Sequence, residues 1–373
     1  MDTSINSAGE QLRAVLRSIR SATPYSDFPR DRAASSDIRT GYLDGNPVRR
    51  LVITMRAPGC SWVERGGGCT MCGHFAGTTR GVLPTVEDCI SQFTGEIDRY
   101  DPGDIRIVSL YNSGSMLDPD EFPFDALRYI CRAVSRFPSI EKLVLESRAE
   151  YIDRSSIGEL LDILGPSRKL SVAVGLETSD DLKRQLCINK GCTRKDIENA
   201  IATVGDIAEI QLYILVGIPF LTEREMLDDA VLSIRCASDM GADEIHIEPA
   251  TIQRYTLTEL LYRAGLYRLP SLHTLYEVLK TVVPGIRPYV SPFRHMPDPD
   301  IIPSGCPECT GRLIEQLLTR YNISRTPDSL DYAPCTCMDE WRSRLAETDP
   351  RPLAERIQDA LESCFQFVDG IMS

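Results

Sequence analysis

The chain has 373 residues, 42% of them apolar, and a formal net charge of -13. That length accommodates one large or two ordinary domains with a full core, and the acidic balance argues against a surface that binds nucleic acid through its overall field. No apolar run reaches membrane-spanning length and the N-terminus lacks the charged-then-apolar pattern of a secretion signal, so a cytoplasmic protein with its 13 cysteines unpaired and no membrane partner is expected.

Residues 8–22 read as an amphipathic helix with Leu12, Val15, Leu16 and Ile19 on one face. Arg13, Arg17 and Arg20 recur at helical spacing and read as a solvated face, with phosphate contact as the alternative. Residues 23–48 are rich in Pro, Ser, Asp and Gly and read as an irregular lead-in, so that 1–48 form an N-terminal segment. RLVITM, residues 50–55, is the first strand.

Directly after it, GCSWVERGGGCTMCG places Cys60, Cys69 and Cys72 in a C-x8-C-x2-C loop whose glycines let the chain fold back on itself. Structural zinc takes four protein ligands, whereas an iron-sulfur cluster can leave one iron without one, so three cysteines with no fourth nearby favour a cluster with an open iron. His74 as a fourth zinc ligand, or three cysteines packed as small hydrophobes, are the competing readings.

From there strands and helices alternate. Strands are expected at 105–110, 142–146, 170–177, 209–216 and 244–248, with helices near 124–137, 155–164, 180–186, 194–204 and 223–240. The strands are mostly continuous apolar runs, as in a parallel sheet covered by crossover helices, open or closed into a barrel. Chemistry in such folds sits at the C-terminal ends of the strands. Here those ends carry the cysteine loop, Ser113-Gly114-Ser115, Glu146-Ser147-Arg148, Gly175-Leu176-Glu177, Gly217-Ile218-Pro219 and Glu248-Pro249. A glycine between serines exposes backbone and hydroxyl groups to an ammonium or a carboxylate, and Arg148 can bind a carboxylate bidentately.

Beyond residue 290 the pattern changes, and 291–373 read as a C-terminal extension. GCPECTG and APCTCMDEW supply Cys306, Cys309, Cys335 and Cys337 on either side of a helix at 311–321. That arithmetic fits a zinc site with four thiolates, a second iron-sulfur cluster being the alternative. His246, alternating with Ile245 and Ile247, reads as a barrel-facing acid/base or a satisfied core histidine, while His273 and His295 read as surface or loop residues. Cys192 in INKGCT lies near the expected mouth.

A three-cysteine loop after the first strand followed by βα repetition resembles the radical S-adenosylmethionine (SAM) superfamily over residues 50–290. The long C-x8-C-x2-C spacing resembles the branch of the Elongator catalytic subunit. GCSWVERGGGCTMCG, NSGSMLDPDE, LESRAEYI, GLETSDD, INKGCT, VGIPFLTE and IEPATIQRYTLTELLYRAGLYRLP resemble segments of the RaSEA family, the radical SAM subunits of archaeosine synthase.

The resemblance implies a partial (β/α)6 barrel over 49–290 and a [4Fe-4S] cluster on Cys60, Cys69 and Cys72. SAM would fill the open iron, and one electron from a reductase, flavodoxin or ferredoxin would cleave it to a 5'-deoxyadenosyl radical. Met71 and Gly73 would lie beside the adenine, and Ser113, Gly114 and Ser115 at the methionyl amine. Glu146 and Arg148 would hold ribose and carboxylate, with Glu177, Gly217 and Pro219 lining the cofactor. Glu248 and Gln253 would face substrate, with His246 a candidate acid/base beside them. The implied substrate is a lysine adduct on a deazaguanine base of tRNA, cleaved to an amidine, with a lysine-transferring partner subunit supplying tRNA binding. A radical SAM enzyme acting on a small metabolite or natural-product intermediate is the alternative that the negative charge favours.

Overall fold

The computed structural model describes residues 3–282, 285–294, 296–331 and 334–372, without the side chains of residue 3 and of 365–372. Eight strands form one sheet in the order β1 to β8: β1 (Ser35–Leu43), β2 (Asn46–Thr54), β3 (Ile107–Tyr111), β4 (Lys142–Glu146), β5 (Lys169–Glu177), β6 (Glu209–Val216), β7 (Glu244–Pro249) and β8 (Tyr289–Val290). β1 runs antiparallel to β2, and every later neighbour pair is parallel. The sheet curls into a half-barrel. Its six strands β2 to β7 match the six expected, and one strand is added at each edge.

The β1 edge corrects the irregular reading of residues 23–48. Ser35–Leu43 pairs along its whole length with Asn46–Thr54 through a tight turn at Asp44 and Gly45, both at positive φ. On the other side of the sheet the crossover helices Val86–Ile97, Phe124–Val134, Arg154–Leu164, Arg194–Val204, Glu223–Asp239 and Leu272–Thr281 cover the apolar face. Thr85 with Asp88, Thr193 with Asp196, and Thr222 with Glu225 form capping boxes that start three of these helices at defined residues.

The strands are two-faced rather than uniformly apolar. One set of alternate residues, Leu51, Ile53, Val108, Leu110, Leu143, Leu145, Val172, Ile210, Leu212, Ile245 and Ile247 among them, packs under the helices in the main core. The other set faces the hollow of the half-barrel. It has a small apolar patch of Ile107, Val144 and Ala173, but is otherwise polar and buried: Arg50, Ser109, Lys142, Ser171, Gln211 and His246. At its lower end Lys142 pairs with Glu209 at 2.5 Å and Glu244 at 2.8 Å. Such a lining needs hydrogen-bond partners throughout, which a merely structural barrel core would replace with aliphatic side chains.

Helix α1 (Thr3–Ala22) packs Leu12, Val15 and Leu16 with Ile357 and Leu361 of the C-terminal helix Leu353–Met372 in a second core outside the barrel. No helix of the described residues is long and apolar enough to cross a membrane.

Candidate active site

Cys60 ends the segment after β2 and precedes a short helix, Ser61–Gly66. Gly67 and Gly68, at φ 85° and 77°, then reverse the chain toward Cys69 and Cys72, and a Cβ on Gly67 would stand 2.9 Å from the Cβ of Leu16. The loop is clasped on three sides. Arg20 of α1 donates to the carbonyls of Gly67 (3.2 Å), Cys69 (3.0 Å) and Tyr255 (3.0 Å). Asn189 donates to the carbonyls of Gly66 and Gly68, both at 2.8 Å, and accepts Trp62 Nε1–H on its own carbonyl at 2.6 Å. The side-chain oxygen of Gln253 accepts the N–H of Gly73 at 2.7 Å.

Two readings change with this geometry. Arg20 is 6% exposed and builds the loop, so it does not belong to a solvated face. Gln253 spends its oxygen on the cysteine loop. Burial pushes the thiols of Cys60 and Cys69 up to about 12 and 11, against the opposing pull of Arg148 on Cys60 and of Lys190 on Cys69; burial raises Cys72 as well. These half-buried sulfurs favour the neutral thiol, and a bound metal's charge would favour the thiolate. Among the described residues the only group whose ligand atoms all lie within 4.8 Å of one another is at the C-terminal cysteines. The three loop thiols do not form a group that tight.

Around the loop, the strand ends converge. Glu121, the last residue of NSGSMLDPDE and without an assigned role in the sequence analysis, accepts the backbone N–H groups of Ser61 (2.6 Å) and Ser115 (2.5 Å) and so ties the cysteine loop to the Ser113-Gly114-Ser115 turn. Any Cβ on Gly114 would fall 2.0 Å from Glu121 Oε2 and 3.1 Å from Cys60 Cα, which explains the glycine. Ser113, at φ 63°, places its hydroxyl 3.2 Å from His74 Nδ1, and the Ser115 hydroxyl accepts the N–H of Arg148 at 3.1 Å.

A cavity of about 80 Å³ opens beside these groups, lined by Gly114, Glu146, Arg148, Glu177, Lys190 and Tyr213 together with Cys192. Glu177 sits at φ 62° just past a register shift in β5, and this turns its carboxylate toward Lys190 Nζ at 2.6 Å. Burial works against the charge on Lys190, yet Glu177 and the neighbouring thiols win and its pKa is raised. Arg148 lies 5.6 Å over the Trp62 ring, donates to Glu150 (2.7 Å) and to the Lys190 carbonyl (2.9 Å), and leaves its buried Nη2 without a protein partner. An orphaned guanidinium nitrogen in a cavity is a docking point for a carboxylate.

Glu248, at the end of β7, accepts the Ser291 hydroxyl, and burial pushes it up to about 7, as it does Glu146 and Glu121. Two residues deeper in the strand, His246 packs 5.5 Å from the Tyr213 ring and 4.9 Å from Tyr289, with Nε2 3.1 Å from Glu244. Burial lowers it to about 4, so the ring is neutral near pH 7. Met71 packs against the second core, and Gly217 is pressed against Pro270 and Ala250 at the end of β6 beside buried Pro219. Neither Gly217 nor Pro219 lines the cavity.

The raised glutamates give a pH prediction. A carboxyl whose folded pKa exceeds its unfolded value of 4.5 adds stability that is full below pH 4.5 and lost as pH rises through about 7. The melting temperature of the metal-free protein is therefore expected to fall between pH 5 and 8, and Glu248→Gln to flatten that slope; a pH-independent Tm in both would refute the burial argument.

The second cysteine group is a separate centre. Sγ separations are 3.5 Å for Cys306 to Cys309, 3.2 Å for Cys306 to Cys335, 3.4 Å for Cys309 to Cys337 and 3.3 Å for Cys335 to Cys337. Four sulfurs this close surround the volume of one ion, whereas a cubane cluster would hold them further apart. His273 corrects the surface reading: it is 4% exposed on Leu272–Thr281, with Nε2 3.2 Å from Cys337 Sγ and its ring 5.6 Å from that of Trp341. His295 lies outside the described residues.

The chain is 29% identical over 343 residues to archaeosine synthase subunit beta of Methanosarcina acetivorans, a match covering 90% of this chain and 96% of that protein. It is 28% identical over 307 residues to archaeosine synthase subunit beta of Thermococcus kodakarensis, covering 80% and 92%. Among solved structures, methylornithine synthase aligns at 16% identity with a TM-score of 0.45, over 76% of this chain and 70% of the other. No protein-family model matches the chain.

Proposed function

We propose, from the premise that the chain is a relative of archaeosine synthase subunit beta, that it is a radical SAM enzyme modifying a deazaguanine-type nucleoside in tRNA. The observation that carries the reading is the meeting of two features at one end of the half-barrel. Three half-buried thiols of one loop stand next to a cavity holding an orphaned Arg148 Nη2 and the carboxylates of Glu146 and Glu177.

The residues fit the implied groups. Cys60, Cys69 and Cys72 would hold a [4Fe-4S] cluster, and Arg148 would bind the carboxylate of SAM. When bound, the cluster supplies the electron, received from a flavodoxin- or ferredoxin-type donor, that splits SAM into methionine and a hydrogen-abstracting 5'-deoxyadenosyl group. The chain's own part is placement. Glu146, with Gly114 on the same cavity wall, offers acceptors to a ribose or an ammonium, and Glu177, held by Lys190, fixes that wall. Glu248, pushed up to about 7, would take a proton from or return one to a substrate nitrogen in the hollow, beside a His246 that stays neutral. Cys306, Cys309, Cys335 and Cys337 would bind Zn²⁺ in a structural role, and a lysine-transferring partner subunit would prepare the substrate.

Arg148 gives a direct test of the cofactor reading. Arg148→Met is expected to weaken SAM binding by about tenfold or more, because one charge-assisted pair to a carboxylate is worth roughly 1.5–3 kcal/mol. Equilibrium dialysis of SAM against the reconstituted protein measures it, and unchanged affinity would remove Arg148 from the site. The substrate reading is tested by mass spectrometry of tRNA nucleosides after incubation of lysine-adduct tRNA with reduced enzyme and SAM. Formation of the amidine nucleoside is expected, while SAM turnover without change in the tRNA would favour a small-molecule substrate.

A further inference from the structure

Four side chains stack in alternation beside the cysteine loop, and the innermost of them, Arg20, also clasps that loop. The Arg80 guanidinium lies 5.6 Å from the Tyr25 ring on one side and 4.7 Å from the Phe75 ring on the other, and the Arg20 guanidinium lies 5.9 Å from that same Phe75 ring. Tyr25 is 57% exposed and forms the outer end, whereas Arg20 at the inner end donates to the carbonyl of Cys69. The stack is held in place. Arg80 Nη2 donates to the carbonyls of Thr23 (2.8 Å) and Pro24 (2.5 Å), and Arg80 itself sits at φ 46°, a left-handed conformation that a non-glycine residue adopts only under constraint. Beside it a second pair repeats the motif, with Arg56 4.0 Å from the Phe28 ring and donating to the Gly77 carbonyl at 3.0 Å.

The segment that carries the stack is basic within an acidic chain. Residues 11–80 hold 11 arginines and no lysine against 5 Asp and Glu, a net of +6 in a chain of net -13. Arg30 and Arg32, both exposed, follow Tyr25 in the chain within the next seven residues. An exposed aromatic ring backed by stacked guanidinium groups in a locally basic segment is what a single-stranded nucleic acid engages: a base stacks on the ring and the arginines meet its phosphates.

We propose that the Tyr25–Arg80–Phe75–Arg20 stack is a docking platform for an unpaired stretch of RNA, with a base stacked on Tyr25 and phosphates on Arg30 and Arg32, beside the cysteine loop. This chain then contributes RNA contacts of its own, and its acidic remainder keeps those contacts to one face. The inference rests on the tRNA reading of the site and adds the surface by which the RNA arrives.

The test is a filter-binding titration of the full-length, reconstituted protein with an unmodified tRNA transcript at several salt concentrations. Tyr25→Ala is expected to weaken binding about tenfold and Tyr25→Phe to restore it, since stacking a base needs the ring and not the hydroxyl. Arg30→Ala or Arg32→Ala should each lower the slope of log affinity against log salt by about one. Melting temperature and SAM cleavage without substrate should be unchanged in all of them. Equal affinity of the parent and Tyr25→Ala would overturn the platform while leaving the tRNA reading in place. Loss of partner-subunit capture by Tyr25→Ala, with tRNA affinity unchanged, would assign this face to protein contact and equally overturn it. A parent that cleaves SAM yet binds no transcript, with or without the partner, would overturn the tRNA reading itself.

Discussion

Replacing Cys60, Cys69 or Cys72 by alanine is expected to reduce SAM cleavage to background and to remove about four irons per chain, with a loss of fold stability no greater than roughly 2 kcal/mol. The asymmetry follows from how the loop is built. Its shape is fixed by Arg20, Asn189, Gln253 and Glu121, which bind backbone groups of the loop and of the adjoining turn rather than the sulfurs. A chain missing one thiol therefore keeps the clasp and loses only the metal. Iron analysis, 5'-deoxyadenosine chromatography and a melting curve on the same three variants check this, and a variant that still cleaves SAM would remove the cluster assignment.

Replacing Cys306 or Cys335 by alanine is expected to act the opposite way. The four sulfurs gather around a single-ion volume between the segment entering Thr310–Glu315 and the start of Cys337–Ala346. This centre is linked to the barrel by His273, and by Trp341 Nε1, which donates to Thr274 at 2.8 Å. Its zinc would link the C-terminal extension to a crossover helix of the half-barrel. Losing it should cost several kcal/mol and lower the Tm by roughly 10 °C. The loop cluster should persist in the fraction that remains folded. One zinc per chain in the parent, none in the variants and the fall in Tm are the expected results; unchanged zinc and Tm would show that the site is not structural.

The parts that were legible from sequence are those with local causes. Strands such as 142–146 and 209–216 are apolar runs bounded by helix starts and turns, and the structure returns them residue for residue. β1 was not legible because Ser35–Leu43 lacks an apolar run and is ordered by pairing with β2 rather than by its own composition. Glu121 and Lys190 escaped for a different reason. Glu121 acts on the N–H of Ser61, 60 residues earlier, and Lys190 meets Glu177 only because β5 shifts register beneath it. A lysine in the INKGCT segment, in a chain with only 6 lysines, was the available signal. His273 was misread because nothing in its own segment announces a thiol 64 residues away.

Polar residues on alternate positions of β6 and β7, EIQLY and EIHIE, carried more information than their overall apolarity. They mark the face turned to the hollow, where Gln211, Tyr213, Glu244, His246 and Glu248 lie.

The measurement that bears most directly on the account is anaerobic reconstitution with iron and sulfide, followed by metal analysis and reduction with dithionite in the presence of SAM. About four irons and one zinc per chain, with formation of 5'-deoxyadenosine and methionine, is the predicted result. A chain that takes up zinc at Cys306, Cys309, Cys335 and Cys337 but no iron, and leaves SAM intact, would contradict it.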